Sequence, residues 1–280
     1  LKMSASMSYT DQVPSGTLLL DICKSLQSRC DILEEKNSGD EYLQRGRALL
    51  ERLVPTIPAD DDLHQVAGWV KEIAQAALDI TYVEENQLVD TDFPESSADC
   101  QVRDILDILS KPEQIISILY PNGTEAKDVL GEELMECLYW RRGALLYMYC
   151  NTVQSVPGKC QPPNFKQNCH SGVGYLSQML NVRTKLTQKR SQVLSKDEDT
   201  YLLLKKGIFS DTHMLALMYA GELCYWYHQL PPGDDDTNLH QQGAAFLQNY
   251  VELVKGPLRQ NGWNTDRAEE LLKQLNTHVS

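Results

Sequence analysis

Hydrophobic residues recur along most of this chain at intervals of three and four positions, which is the spacing of one face of an α-helix. The first such run begins at Thr17 and places Leu19, Ile22 and Leu26 on one face. Strict alternation of apolar and polar residues, which would indicate strands, is nearly absent. The pattern therefore predicts an all-α protein of about ten antiparallel helices, packed in a single bundle or array.

Glycine, proline and capping residues set the expected ends of these helices. Pro112 is expected at the first turn of a new helix, and Thr124 is expected to open a long helix that ends near Cys150. The predicted helices span 17–36, 40–54, 60–85, 98–109, 112–120, 124–150, 169–181, 196–206, 211–228, 238–254 and 265–277.

Two breaks rich in proline and glycine interrupt the helical pattern, near residues 151–168 and 229–237. Residues 1–16 are polar and show no period, so we expect them to form a flexible leader. Residues 17–280 are predicted to form one all-helical domain, with these two breaks as loops.

Charge restricts the classes of partner. Of 280 residues, 26 are Lys or Arg and 39 are Asp or Glu, which gives a formal net charge of −13. Nucleic acids and anionic membranes bind basic faces, so this charge argues against both. The sequence contains no apolar run long enough for a signal peptide or a membrane span, so we expect neither secretion nor membrane insertion. The eight cysteines are scattered without a CxxC pair and are expected to be mostly buried, free thiols.

Motifs for catalysis or metal binding are nearly absent. The chain contains no P-loop, GxSxG or HExxH motif. Cys224 and His228 have a helical spacing that can bind zinc, but no second close pair completes a ligand set. Glu132, Glu133 and Glu136 are expected to complement the dipole at a helix N-terminus rather than to act as acids and bases. We therefore predict no catalytic residue, no cofactor and no metal.

Two predicted helices, 124–150 and 211–228, carry long apolar stretches on nearly all sides, which is typical of buried helices. Arg141 and Arg142 lie within the first helix, and Glu222 lies within the second. A buried charge needs a partner. We therefore expect a structural ion pair between Glu222 and Arg141 or Arg142.

The same two helices share a short internal similarity. Gly143–Tyr149 and Gly221–Tyr227 have the same spacing of glycine, leucine and tyrosine. A duplicated helical unit and chance similarity between two buried helices explain this equally well. The aromatic residues Trp140, Tyr147 and Tyr149 of the first helix are expected in the core.

Three segments together carry a resemblance to a known family. They are Leu78–Glu95 (LDITYVEENQLVDTDFPE), Leu130–Cys150 (LGEELMECLYWRRGALLYMYC) and Gly207–Trp226, which contains GIFSDTHM and MYAGELCYW. In this order they resemble a small eukaryotic family described as the late-endosomal-Rab-interacting subunit of the Mon/Ccz guanine-nucleotide exchange complex. The resemblance covers roughly residues 63–276, and the run WRRGALLYMYC makes it specific.

The resemblance implies a non-enzymatic accessory subunit that binds the Mon/Ccz heterodimer and its late-endosomal Rab GTPase, with a preference for the GDP-bound Rab. It also implies support of the stability of the Rab and of its delivery to membranes, including damaged mitochondria during mitophagy. Such a protein is cytosolic and is recruited to late endosomes, lysosomes and damaged mitochondria. The family supplies no catalytic residue that can be transferred to this sequence.

A loop within the first of these segments is the expected partner-binding site. Its candidate residues are Asp90, Asp92, Phe93 and Glu95. Surface loops carry function more often than cores do, which favours this assignment. The alternative is that Phe93 pins the loop to the core of its own chain.

Two other functions remain open from the sequence. One is a helical enzyme with a buried polar site built from Arg141, Arg142, Glu222 and His213, which a deep polar pocket at these residues would support. The other is a helical protein that binds a lipid or isoprenoid in an apolar tunnel between the two central helices.

Overall fold

A computed structural model of the chain describes residues 15–57, 65–121, 123–155, 162–183, 211–230 and 236–277. This part of the chain contains ten α-helices, one short 3-10 helix and no strand, which confirms the predicted all-α fold. The helices are α1 (Ser15–Glu34), α2 (Glu41–Leu53), α3 (Val66–Asp90), α4 (Ala98–Leu119), α5 (Ala126–Leu130), α6 (Glu132–Ser155), α7 (Phe165–Asn181), α8 (Asp211–His228), α9 (Asp236–Lys255) and α10 (Asp266–Thr277), with the 3-10 helix at Val54–Thr56.

Capping and periodicity predicted several helix ends well. The bounds of α8 coincide with the prediction, and those of α2, α9 and α10 depart from it by at most two residues. Asp40 precedes α2, and its side chain accepts hydrogen bonds from the amides of Tyr42 and Leu43, as an N-cap aspartate does. The predicted helix 196–206 and residues 1–14 of the predicted leader lie outside the described residues.

One predicted break at Pro112 is wrong. Pro112 lies inside α4, which runs from Ala98 to Leu119, rather than at the first turn of a second helix. A proline removes one backbone hydrogen bond and bends a helix, but it does not end the helix where apolar burial on both sides maintains it. Leu109 and Ile115, on either side of the proline, are both buried.

A break that the sequence did not predict occurs at Gly131. It divides the predicted helix 124–150 into α5 and α6. Gly131 has φ +87°, in the left-handed region that glycine adopts without strain, and its amide donates to the Lys127 carbonyl at 2.9 Å. Two helices also continue past their predicted ends, α3 to Asp90 and α6 to Ser155.

The described residues form two compact units. Unit 1 contains those up to Gln87 together with Asp107–Gly131, and unit 2 contains Leu88–Leu106 together with those from Glu132 onward. The expectation that residues 17–280 form a single domain stays a prediction. None of the described helices combines the length and apolar character that crossing a membrane requires.

Ion pairs connect the helices of unit 1 around an apolar core. Arg29 of α1 lies 2.7 Å from Glu84 of α3, and Arg45 of α2 pairs with the buried carboxylate of Asp79 in α3. In each pair at least one side chain is largely buried. Such a pair restrains the relative position of its two helices more strongly than a fully exposed ion pair does. The buried apolar residues of these helices include Leu19, Cys23, Leu26, Cys30, Leu43, Leu50, Ile73 and Ile80.

Glycines mark the close approaches between successive helices of unit 2. A β-carbon on Gly143 of α6 would lie 2.6 Å from Leu176 of α7, and one on Gly221 of α8 would lie 2.5 Å from Leu247 of α9. The internal similarity in the sequence therefore has a physical counterpart, because each glycine admits a leucine of the following helix. Gly172, which lies outside the two similar segments, makes the same kind of close approach to Leu223, so the choice between duplication and chance similarity stays open.

We expect Gly172→Val in α7 to lower the free energy of unfolding by about 2 kcal/mol, because overpacking forces neighbouring side chains to shift. A β-carbon at Gly172 would lie 2.7 Å from Leu223 Cδ1 and 3.3 Å from Leu146 Cβ. Gly174 of the same helix has no such neighbour within 4 Å, so Gly174→Val is the matched control and should change stability by less than about 0.5 kcal/mol. Urea denaturation of both variants measures the difference, and equal losses would contradict this packing.

Candidate partner-binding surface

The loop after α3 has a defined backbone geometry. Asp92 and Phe93 have φ angles of 49° and 50°, a left-handed conformation that is uncommon for residues other than glycine. Their amides donate to the carbonyls of Val89 and Leu88, at 3.1 and 2.9 Å respectively, which closes a turn at the end of α3. Such strain persists only where the surrounding structure maintains it.

Phe93 anchors this loop. Its side chain is buried, and its ring centroid lies 5.6 Å from that of Tyr149 in α6. Burial raises the pKa of Tyr149 to about 12, so the Tyr149 side chain that contacts Phe93 is a protonated, uncharged phenol. Asp90, Asp92 and Glu95 are exposed around the anchor. Three of the four residues predicted to bind a partner therefore lie at the surface and the fourth fixes their backbone, while their role in binding stays a prediction.

Four aromatic rings of α6 and α8 stack in a row, in the order Trp140, Tyr219, Tyr147 and Trp226. The centroids of Tyr147 and Tyr219 are 3.6 Å apart with an interplanar angle of 7°, and the outer two contacts are 5.9 and 5.5 Å. Trp226 is buried, whereas the other three rings are half-buried. Of the three aromatic residues expected in the core, Tyr149 is buried there, while Trp140 and Tyr147 keep an edge at the surface.

Glu222 is buried beside this stack and has two partners. Its Oε1 lies 3.0 Å from Arg267 Nε of α10, and its Oε2 accepts a hydrogen bond from the Tyr147 hydroxyl at 2.5 Å. The predicted ion pair was therefore wrong about the cation, which is Arg267 rather than Arg141 or Arg142. Burial, together with the charge of Glu222, raises the pKa of Tyr147, so this phenol remains a donor.

Arg142 is buried in a different environment. Its guanidinium carbon lies 4.9 Å from the ring centroid of Tyr139 and 4.7 Å from that of Tyr175, and its Nε donates to the Leu138 carbonyl at 3.0 Å. The faces of aromatic rings attract cations through their quadrupole, so the two tyrosines stabilise the buried charge. Arg141, the next residue, is half-buried.

A double-mutant cycle tests which arginine pairs with Glu222. We expect Glu222→Gln and Arg267→Gln to show a coupling energy of about 1 kcal/mol in urea denaturation, because the pair is partly solvated. The Arg267 side chain is 48% exposed, which sets this modest value. The same cycle with Arg141→Gln is the control, and we expect its coupling to stay below about 0.3 kcal/mol. A larger coupling with Arg141 would restore the pairing first predicted.

Glu136 of α6 forms a second buried ionic cluster. Arg183, just after α7, approaches with Nε 2.6 Å from Oε1 and a second nitrogen 2.7 Å from Oε2, and His213 Nε2 of α8 lies 3.3 Å from Oε1. Burial opposes ionisation, but hydrogen bonds with His213 and Arg183 outweigh it and hold the pKa of Glu136 below its ordinary value. From the sequence, Glu136 was expected to complement the helix dipole, and this cluster was not predicted. The feature that indicates it is that Glu136 lies on the inward face of α6, whereas Glu132 and Glu133 are exposed.

The residues of the alternative polar site have separate surroundings. Arg142 lies between two tyrosine rings, His213 contacts Glu136, and Glu222 contacts Arg267. His213 and Glu222 are nine positions apart on α8, which corresponds to about 13 Å along the helix axis. The contacts described for Arg142, His213 and Glu222 are separate from one another and give no support to a shared catalytic site.

The described residues provide no complete set of ligands for a metal ion. Within the described ranges, no group of three or more His, Cys, Asp or Glu side chains could hold a metal ion. His228, considered with Cys224 as a ligand pair, packs its ring against His240 at a centroid distance of 4.5 Å. All seven described cysteines are free thiols, and five of them are buried: Cys23, Cys30, Cys150, Cys169 and Cys224.

The fold and these surfaces define an all-α protein in which the buried carboxylates Asp79, Glu136 and Glu222 each pair with an arginine of the same helical unit. Comparison with known sequences then identifies its relatives. The chain belongs to the family described as RAB7A-interacting MON1-CCZ1 complex subunit 1, whose family model matches residues 42–238. This match confirms the resemblance drawn from the three segments and begins closer to the N-terminus than residue 63.

Curated relatives with the same description match most of the chain. The protein from Danio rerio is 37% identical over 260 residues, which cover 89% of this chain and 94% of the relative. The proteins from Homo sapiens and Mus musculus are each 37% identical over 263 residues, which cover 85% of this chain and 88% of the relative. No solved structure gives a significant match.

Proposed function

We propose that this chain is an accessory subunit that binds a MON1–CCZ1 exchange complex and its late-endosomal Rab GTPase. The observation that carries the proposal is the 37% identity over 260 residues to a relative described as a RAB7A-interacting MON1-CCZ1 complex subunit. Identity at this level across nearly the whole chain supports a shared interaction. It is also consistent with the separate surroundings of the buried charges, which do not converge on one catalytic site.

The proposal includes finer points taken from the family resemblance. The protein is non-enzymatic, prefers the GDP-bound Rab, and supports the stability of that Rab and its delivery to membranes in endolysosomal traffic and mitophagy. It resides in the cytosol and is recruited to late endosomes, lysosomes and damaged mitochondria. The net charge of −13 supports recruitment through a protein partner, because an acidic protein is repelled by anionic lipid.

Loss of the protein from its own cells tests these finer points. We expect the half-life of the late-endosomal Rab to shorten and the fraction of the Rab on late endosomes to fall. Restoring the full chain should reverse both effects, since an accessory subunit acts on the amount and position of the Rab. An unchanged half-life and an unchanged distribution would contradict the proposed support of the Rab.

We assign the partner contact to the acidic loop that carries Asp90, Asp92 and Glu95. The three carboxylates are exposed on a backbone that Phe93 fixes, so binding them costs little ordering of the loop. They lie in a stretch from Glu72 to Asp99 that contains no lysine or arginine, so the loop complements a basic partner surface.

Reversing the charge of this loop should weaken binding at least about tenfold, because opposite charges at an interface become like charges. The variant combines Asp90→Lys, Asp92→Lys and Glu95→Lys, and the measurement is the Kd for the MON1–CCZ1 heterodimer and for the Rab.

The matched control for this variant is a second triple substitution with the same change in net charge. It combines Asp21→Lys, Glu35→Lys and Glu51→Lys, at exposed acidic positions of α1, its C-terminal turn and α2. We expect the control to retain binding and both variants to melt near the unmodified protein. Equal losses of affinity would show that net charge, rather than this loop, determines binding.

A further inference from the structure

Unit 2 contains three buried thiols, one on each of three helices. Cys150 of α6, Cys169 of α7 and Cys224 of α8 are all fully buried. The Sγ atoms of Cys150 and Cys169 are 3.8 Å apart, and these residues are 19 positions apart in the chain. Burial, together with the charge of Cys169, raises the pKa of the Cys224 thiol above its ordinary value. Two thiols on different helices are thus in contact without being bonded.

The two cysteines in contact lie near helix ends that face the same connection. Cys150 is five residues from the end of α6 at Ser155, and Cys169 is in the second turn of α7, which begins at Phe165. Helix ends open locally at a lower free energy than helix centres do, so these thiols gain access to solvent without global unfolding. Cys224 lies four residues from the end of α8 at His228, where it packs against Gly243 of α9.

We propose that Cys150 and Cys169 are a dithiol pair that a two-electron oxidant of the peroxide class converts into a disulfide joining α6 to α7. After local opening, one sulfur attacks hydrogen peroxide and breaks its O–O bond, which gives a sulfenic acid and one water. The second thiol attacks the sulfenic sulfur, forms the S–S bond and releases a second water. Each cysteine gives up one electron and one proton in total, and the peroxide is reduced to two waters.

While the helices stay packed, burial protects the two thiols from oxidation. Its contact with Cys169 and its burial raise the pKa of Cys150 well above the ordinary value, so the thiol is protonated and unreactive while the helices stay packed. Reaction therefore depends on local opening, and the bond forms quickly once one sulfur is oxidised because its partner is already adjacent.

Peptide mapping detects the bond directly. Trypsin cleaves after Arg142, Lys159, Lys166 and Arg183, so Cys150 lies on peptide 143–159 and Cys169 on peptide 167–183. The full chain is treated with hydrogen peroxide until the exposed Cys100 and Cys137 are oxidised, then alkylated in denaturant and digested without reductant. We expect the two peptides to be joined, at a mass two hydrogens below their sum, and to separate with a phosphine reductant.

Two further measurements complete the test. Oxidation should raise the melting temperature by about 5 °C, because the cross-link restricts the unfolded chain. The rise and the joined peptides should both be lost in Cys150→Ala, and also in Cys169→Ala, while Cys224→Ala should keep both. If Cys150 and Cys169 alkylate fully after Cys100 and Cys137 are oxidised, or if Cys169 is joined to Cys224 instead, the proposal is overturned.

Discussion

We expect Phe93→Ala to lower the free energy of unfolding by about 4 kcal/mol, the cost of removing a buried aromatic side chain. Phe93 is 4% exposed and contacts the ring of Tyr149, so truncation leaves a cavity against α6. The left-handed backbone of Asp92 and Phe93 then loses the contact that maintains it. Urea denaturation measures the loss, and the Kd for the partner should rise because the carboxylates of the loop are no longer held in place.

Val89→Ala is the matched control for this variant. Val89 is near the end of α3 beside the same loop, but its side chain is 39% exposed and supports no ring contact. We expect it to change stability by less than about 0.5 kcal/mol, as surface substitutions usually do. If Phe93→Ala unfolds at the same urea concentration as the control, Phe93 does not anchor the loop.

We expect Glu136→Ala to lower the free energy of unfolding by about 3 kcal/mol, because it leaves buried cationic partners without their carboxylate. Arg183 contacts both oxygens of Glu136, and the His213 side chain is 6% exposed. The matched control is Glu133→Ala, an exposed carboxylate in the first turn of the same helix, which should cost less than about 1 kcal/mol. Equal losses of stability would show that Glu136 acts through the helix dipole, as predicted from the sequence, and not through Arg183 and His213.

The same carboxylate should contribute to the pH dependence of stability. The pKa of Glu136 is lower in the folded state, so the unfolded chain binds the proton more readily. Its contribution is therefore complete above an unfolded pKa of about 4.3 and is lost as the pH falls through the folded pKa. The stability difference between the unmodified protein and Glu136→Gln should shrink from pH 5 to about pH 3. A difference that grows in acid would contradict the lowered pKa.

Local signals in the sequence predicted the helices well and the helix interruptions less well. The ends of α8 follow from an acidic start at Asp211 and from the proline and glycine residues at 231–233 that come after His228, both of which are local signals. Reliance on local signals also explains the wrong helix break predicted at Pro112 and the break at Gly131 that was not predicted. Whether a proline or a glycine ends a helix depends on what its neighbours bury, and tertiary contacts outweigh local preference.

Long-range pairings could not be predicted from one sequence. Periodicity showed that Glu222 is buried and needs a cation, but its partner Arg267 lies 45 residues away on α10. The Glu136 cluster is similar, because Arg183 and His213 lie 47 and 77 residues away. For the loop, two roles of Phe93 were open from the sequence, a partner contact and an anchor to the core of its own chain, and the burial of Phe93 is a tertiary feature that one sequence does not show. The family resemblance needed no such pairing, because it rests on contiguous runs of residues.

A binding measurement with purified components tests the proposed function most directly. The full chain is immobilised and presented separately with the MON1–CCZ1 heterodimer, with the late-endosomal Rab in its GDP form and with the Rab bound to a GTP analogue. We expect retention of the heterodimer and of the Rab, with tighter binding of the GDP form. Absence of binding to all three at concentrations of about 10 µM, where even weak specific complexes form, would contradict the account.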